Sequence, residues 1–214
     1  MTKRIIAVSG TIGSGKDTIA DYLCRMHGFK RVSFAGALKD AVSSVFGWDR
    51  ELVDGVTKAS REWREEVDQW WSQRLNMPGL TPRYVLQYMG TEVFRNHFHT
   101  DIWVASVEHK LLTSREDAVI TDARFANEVE AVKRVGGKAI RVVRGENPEW
   151  YQAALDYNRG PRGNTAYMLS KSKLDRFNIH PSEYSHVGLD FDVLIENNST
   201  IDELHSKIER LIRN

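Results

Sequence analysis

Cysteine is almost absent: Cys24 stands alone in 214 residues, which excludes an internal disulfide and suits a reducing compartment. Neither sign of charge dominates. Thirty Lys and Arg against 29 Asp and Glu leave a formal net charge of +1, which argues against a broad basic nucleic-acid surface and against an acidic solvating tail. Long apolar runs are missing too, since none approaches the ~20 residues that a bilayer span requires. Met1-Thr-Lys-Arg leads at once into a strand pattern, with no cleavable apolar segment. Internal repeats and low-complexity tracts are also lacking. The expectation is a soluble cytoplasmic protein whose partners are small anions, with neither nucleic acid nor membrane among them. The length suits one sizeable α/β core with an insertion better than two independent domains.

What the chain does carry is a phosphate cradle. The apolar run Ile5-Ile6-Ala7-Val8 is followed by Gly10-Thr11-Ile12-Gly13-Ser14-Gly15-Lys16-Asp17-Thr18, and then by a helical pattern with Ile19, Tyr22, Leu23 and Met26. Glycines let the backbone wrap an anion, and the helix N-terminus adds its positive dipole end, so residues 10–18 suit the triphosphate of ATP. Lys16 is placed to reach the β- and γ-phosphates. Asp17 occupies the position where a hydroxyl residue usually holds magnesium. A carboxylate there can bind Mg²⁺ directly or through water, or it can cap the helix and pair with a neighbouring cation; the pattern leaves both open.

Segments 4–9, 117–121, 138–143 and 192–196 read as buried strands, and Arg31-Val-Ser-Phe34 as a weaker one. Short apolar strands alternating with helical patterns indicate a parallel sheet covered on both faces. A helix from Asn127 to Val135 stops at Gly136-Gly137, and a last helix opens at Thr200-Ile-Asp-Glu203, a capping box. Between Phe34 and residue 117 the pattern is all-helical. Trp63, Val67, Trp70, Trp71 and Leu75 recur at helical spacing as an expected core stripe, and Thr81-Pro82 starts another helix. From Arg144 to Ser185 the chain looks irregular and rich in Gly, Pro, Asn and Arg, as a lid would be.

Three clusters are candidates for a second substrate. Ala35-Gly-Ala-Leu-Lys39-Asp opens a helix, where Lys39 can meet an acceptor phosphate. The run from Thr81 to Arg95 sets Arg83, Gln87 and Gly90-Thr91 on one helical face, opposite Val85, Met89 and Val93. Asp122-Ala-Arg124-Phe-Ala-Asn-Glu128 follows strand 117–121, and ligands in open parallel sheets bind beyond the carboxyl ends of strands. There Arg124 can bridge donor and acceptor phosphates, which its planar fork suits better than a lysine would. Asp122 can hold a sugar hydroxyl, the metal shell or Arg124 itself.

Taken together, Gly-Lys-Asp-Thr in the loop, Ala-Gly-Ala-Leu-Lys-Asp, Leu86-Gln87-Tyr-Met-Gly-Thr-Glu with Trp103 downstream, Thr121-Asp-Ala-Arg-Phe with Glu128, and Phe191-Asp-Val-Leu-Ile-Glu-Asn resemble bacteriophage-type deoxynucleoside monophosphate kinases. The resemblance spans residues 5 to about 212. It implies a P-loop nucleoside-monophosphate-kinase fold in one domain. Its core would be 1–34, 115–143 and 186–214, with a helical acceptor-binding insertion at 35–114 and a lid at 144–185. It further implies ATP with Mg²⁺ held at Asp17, and a deoxynucleoside monophosphate as acceptor. Lys16, Asp17 and Arg124 would be catalytic. Lys39, Arg83, Gln87, Arg95, Trp103, Asp122, Arg124 and Glu128 would bind the acceptor, and Arg144, Arg159 and Arg162 would serve the lid. A homodimer is an allowed assembly, and the cytoplasm, that of the host for a phage-encoded chain, is the implied location.

Phosphomevalonate kinase of the animal type shares the Gly-Lys-Asp loop, an Asp-x-Arg after a strand and the Phe-Asp-x-x-Ile-Glu-Asn ending. Gln87 with Trp103 favours a base over an isoprenoid phosphate as the acceptor. A nucleotide-binding switch that transfers nothing is a reading of another class. The supply of arginines speaks against it.

Overall fold

A computed structural model describes residues 3–179 and 181–213 of the chain. The described chain forms two compact units, Met1–Val32 with Glu108–Asn214, and Ser33–Val107.

The first unit is built on a parallel sheet of five strands: β1 (Ile5–Ser9), β2 (Lys30–Val32), β3 (Ala118–Ile120), β4 (Lys138–Val143) and β5 (Val193–Glu196), in the spatial order β2-β3-β1-β4-β5. All five expected strands are present, and the weak one sits one to two residues earlier than its apolar pattern suggested. Every residue of β1 is buried, as a central strand covered on both faces requires. Ile6 and Val8 on one face pack with Ile19, Ala20 and Leu23 of α1 (Lys16–His27) and with Leu204 and Ile208 of α12 (Ile201–Arg213). Ile5, on the other face, lies beside Val132 of α8 (Ala126–Arg134): a Cβ added to Gly137 would come within 3 Å of both side chains. The two-residue strand period therefore decides which helix each side chain meets.

Chain order reverses at β1, which has β3 on one side and β4 on the other. A crevice beyond the carboxyl ends of these strands is where such a sheet takes its ligand. Ser9, the last residue of β1, is in register with Arg141 of β4.

The described residues between 144 and 185 include three helices, not the long loop their composition suggested. The segment holds α9 (Tyr151–Arg159), α10 (Thr165–Arg176) and α11 (Pro181–Tyr184). Ala153, Ala154, Leu174, Tyr184 and Val187 form a small core of their own, and the Asn164 side chain caps α10 by accepting from the Tyr167 N–H at 2.8 Å. Polar, low-contrast helices such as α10 bury few residues, so periodicity does not announce them.

The second unit contains α2 (Gly36–Phe46), α3 (Arg50–Asp54), α4 (Lys58–Trp63), α5 (Gln69–Arg74), α6 (Pro82–Gln87), a π-helix (Tyr88–Phe98) and the start of α7 (Ile102–Thr113). Val42, Trp48, Val53, Leu80 and Val85 make its core, with Phe46, Trp63 and Trp71 packed against it. The tryptophan stripe is not one helix face. The chain breaks between α4 and α5, where Asp68 caps α5 through the Trp71 N–H and accepts the Trp48 indole N–H at 2.8 Å. Trp63 and Trp71 thus point inward from separate helices, while Val67, Trp70 and Leu75 are exposed.

Gly10 (φ +152°) joins β1 to the loop, and a Cβ there would sit 2.3 Å from the Val142 carbonyl oxygen. Gly10→Ala is expected to cost ~1–3 kcal/mol or more of stability, because a strand backbone must shift to admit the methyl. Equal thermal midpoints for variant and parent would contradict this close approach.

Candidate active site

Backbone geometry builds the loop between β1 and α1. Gly13 and Gly15 have φ of +78° and +106°, values that L side chains rarely adopt, and they curl the chain so that α1 starts at Lys16. A Cβ on Gly15 would lie 2.4 Å from the Asn197 amide nitrogen, which donates to the Ser14 carbonyl at 2.8 Å. Asn198 accepts from the Gly145 N–H at 2.7 Å, tying the turn after β5 to the chain beyond β4. Gly13, Gly15, Lys16, Asp17, Thr18, Arg144, Asn197, Ser199, Ile201 and Leu204 enclose a cleft of about 310 Å³ beside the loop. Arg144 therefore belongs to the loop cleft, directly after β4.

Lys16 lies across the loop, its ammonium donating to the carbonyls of Gly10 (2.9 Å) and Thr11 (2.7 Å). Burial first, and the Arg124 guanidinium second, push its pKa below the usual lysine range; Asp17 and Glu183 oppose them. Asp17 is 76% exposed and pairs with Arg31 of β2 at 3.1 Å, while the second arm of Arg31 reaches Asp21 at 2.9 Å. The carboxylate is thus accessible and already has a cation beside it.

Asp122 and Arg124 follow β3 at the carboxyl end of the sheet. Arg124 pairs with Glu183 of α11. Glu128 is only 4% exposed, and its Oε2 accepts the backbone N–H groups of Arg124 (2.8 Å) and Phe125 (3.1 Å). The carboxylate that the resemblance assigned to an acceptor is thus a helix cap that fixes the course of the chain at Arg124. Arg159, at the end of α9, donates to the Gly188 carbonyl at 3.0 Å, and Arg162 is exposed beyond it.

In the helical unit, Lys39 bridges α2 and α3 through the Asp54 carboxylate (2.9 Å) and carbonyl (3.0 Å), so its charge already has a partner. Arg83 pairs with Glu65. Gln87 is exposed and Arg95 half-buried, on α6 and the π-helix respectively. Trp103 is 6% exposed, donates its indole N–H to the Gly90 carbonyl at 3.0 Å and packs on Phe94. Both ring faces are thus inside the protein, which makes Trp103 a support for the π-helix and not an open platform for a base.

Two residues absent from the sequence reading stand at the site. Arg141 donates to the Tyr151 hydroxyl at 2.6 Å and lies over that ring at 5.0 Å. His186 is 2% exposed. A charged residue inside an apolar strand is a readable signal for Arg141; a lone histidine after a short helix carries none.

No helix among the described residues is long and apolar enough to cross a membrane. The family model described as deoxynucleotide monophosphate kinase matches residues 65–154. A protein of Acanthamoeba polyphaga mimivirus with a provisional deoxynucleotide monophosphate kinase name is 28% identical, over 98% of this chain and 96% of its own. The deoxynucleotide monophosphate kinase of Enterobacteria phage T4 is 22% identical over 98% of this chain and 99% of its own. The deoxynucleoside-5'-monophosphate kinase of Escherichia phage T5 reaches 42%, over 25% of this chain and 22% of its own.

Burial, then Arg141, Lys16 and Arg124, hold the His186 pKa down at about 4. The unfolded chain therefore takes up this proton near pH 6.5 while the folded chain refuses it until about pH 4, so stability falls as pH drops through that window. Between pH 7 and 4.5 the wild type should lose ~2–3 kcal/mol more than His186→Asn does. Parallel stability–pH curves for the two proteins would contradict a buried neutral imidazole.

Proposed function

We propose that this chain, related along nearly its whole length to deoxynucleotide monophosphate kinases, moves the γ-phosphoryl group of ATP to a deoxynucleoside monophosphate, giving ADP and the diphosphate. The observation that carries the reading is the phosphate loop at the sheet's switch point, with Lys16 folded onto its own carbonyls and Arg124 within electrostatic reach of it. An anion entering the loop offers Lys16 stronger acceptors than the Gly10 and Thr11 carbonyls. Backbone N–H groups of residues 13–16 hold the β-phosphate, Lys16 spans the β- and γ-phosphates, and the Arg124 fork meets charge as it moves toward the acceptor. Arg124 must then exchange Glu183 for phosphate oxygens. Catalysis is positioning and electrostatics, and no covalent intermediate is required.

The donor set suits Mg²⁺ brought in by ATP. Asp17 supplies one accessible carboxylate, and the described residues contain no cluster of three or more metal-binding side chains, as for an ion held mainly by substrate phosphates and water. When bound, the ion would neutralise phosphate charge during transfer. The adenine side of ATP is assigned to the cleft with Arg144, Asn197 and Ser199. Acceptor recognition is assigned, within the helical unit, to Gln87 and Arg95. Lys39 and Arg83 can join it by leaving Asp54 and Glu65. Residues 144–185 are assigned to a closing lid that excludes water and carries Arg159 and Arg162. On this reading the enzyme works in the cytoplasm, that of the host if the gene is viral, with nucleotides as its only substrates.

ADP formation with dTMP, dGMP, dCMP, dAMP or mevalonate 5-phosphate present tests the reaction. Turnover that depends on at least one deoxynucleotide is expected; turnover with mevalonate 5-phosphate alone, or none with any acceptor, would overturn it. Gln87→Leu should lower kcat/KM for the monophosphate by ~5- to 150-fold, the effect of an unmatched hydrogen bond, while the KM for ATP stays as it was. Equal damage to both substrates would remove Gln87 from the acceptor site.

A further inference from the structure

Of the buried polar side-chain atoms with no hydrogen-bond partner among the described residues, Ser9 Oγ, Ser14 Oγ, Arg141 Nε and His186 Nε2 belong to the sheet unit, and the others to three arginines of the helical unit. Strand register joins two of them, because Ser9 is the β1 partner of Arg141. Ser14 belongs to the same spot, its hydroxyl 2.8 Å from where a Cβ on Gly10 would stand. His186 follows Glu183, the partner of Arg124, by three residues, and it feels the charges of Arg141, Lys16 and Arg124. Unpartnered donors in a protein interior are costly, and their concentration at one place points to a partner that arrives with a ligand.

Charge gives the sign of that partner. Lys16 rests on two neutral carbonyls. Arg141 ends on a phenol and a ring face, neither of which carries countercharge. Glu183 is committed to Arg124, and Asp17 to Arg31 on the outer side of α1. Three cations thus act on one imidazole, while Glu183 and Asp17, the carboxylates that act on Lys16, are each already paired with an arginine.

We propose that Arg141 is a third phosphate-binding cation of this site, held on the sheet by Tyr151, with His186 as the neutral spacer beside it. Arg141 stands on β4 and Arg124 follows β3, the two strands on either side of β1, so on this proposal a polyphosphate in the loop has a guanidinium from each side. Nε, which has no hydrogen-bond partner among the described residues, is the donor left for a phosphate oxygen, while Nη1 stays on Tyr151. His186 fills space between like charges without adding another, and its Nε2 gains a partner in the same ligand or its bound water.

The proposal deepens the phosphoryl-transfer reading but is testable without it, since inorganic tripolyphosphate can probe the anion site in the absence of an acceptor. Calorimetric titration of tripolyphosphate, and separately of ATP, would compare wild type, Arg141→Gln and Arg141→Lys. Arg141→Gln should weaken both ligands by ~10-fold or more, as loss of a charge-assisted bond does, and Arg141→Lys should recover part of that loss. A weaker dependence of affinity on salt in the glutamine variant should accompany it, which a purely structural role would not produce. Should Arg141→Gln fail to fold, Arg141→Lys alone decides, with a several-fold loss expected because the fork is gone. Unchanged tripolyphosphate affinity in a folded variant overturns the proposal. Wild-type tripolyphosphate binding that depends on Arg141, without acceptor-dependent ADP, would sink the kinase reading and leave the third cation standing.

Discussion

The Val142 carbonyl and the Gly10 Cα stand so close that a methyl on residue 10 would lie 2.3 Å from the oxygen, and this crowding admits only glycine where β1 passes into the phosphate loop. A loop that must wrap an anion has few side chains with which to hold its own shape. Here β4 confines it at Gly10 by close approach, and Asn197 anchors it by donating to the Ser14 carbonyl. Both constraints come from strands or turns at the carboxyl end of the sheet, so the crevice produced by the strand order and the cradle produced by the glycines coincide. Preorganisation of this kind places donors before the ligand arrives, which is where most of the catalytic advantage of such a site lies.

Electrostatics then set the state of each group. Lys16 is partly desolvated and faces Arg124, and its lowered pKa records both influences. Glu183 and Asp17 answer part of the charge, each already paired with an arginine. His186 stays neutral first because it is buried, and second because Arg141, Lys16 and Arg124 already place positive charge around it. Glu128 contributes through the backbone: by accepting two consecutive N–H groups it fixes the turn from which Arg124 projects.

The parallel sheet was legible because β1 and β3 are short, almost wholly apolar and fully buried, and β4 is apolar apart from Lys138 and Arg141. The loop was legible because its glycines sit between such a strand and an amphipathic helix. Helical periodicity misled at Trp63 to Leu75, where an aspartate cap splits one apparent stripe into two helices. Composition misled at residues 144–185, because α9 and α10 bury only a few small or isolated side chains and their capping residues look like loop chemistry. Side-chain fate was the least legible layer. Trp103, Glu128 and Lys39 have the residue types of a nucleotide site, yet each spends its polar group on a backbone or neighbouring partner. Arg141 and His186 reach the loop by strand register and by a turn far along the chain, which spacing alone does not encode.

Transfer of a phosphoryl group between two bound nucleotides leaves an isotopic trace that can be read in the products. ATP carrying ¹⁸O in the γ-phosphoryl group would be incubated with the enzyme and an accepted deoxynucleoside monophosphate, and the products weighed by mass spectrometry. The account predicts three labelled oxygens in the β-phosphoryl group of the deoxynucleoside diphosphate, with unlabelled ADP beside it. Label recovered only in inorganic phosphate, or an unmodified monophosphate, would contradict it.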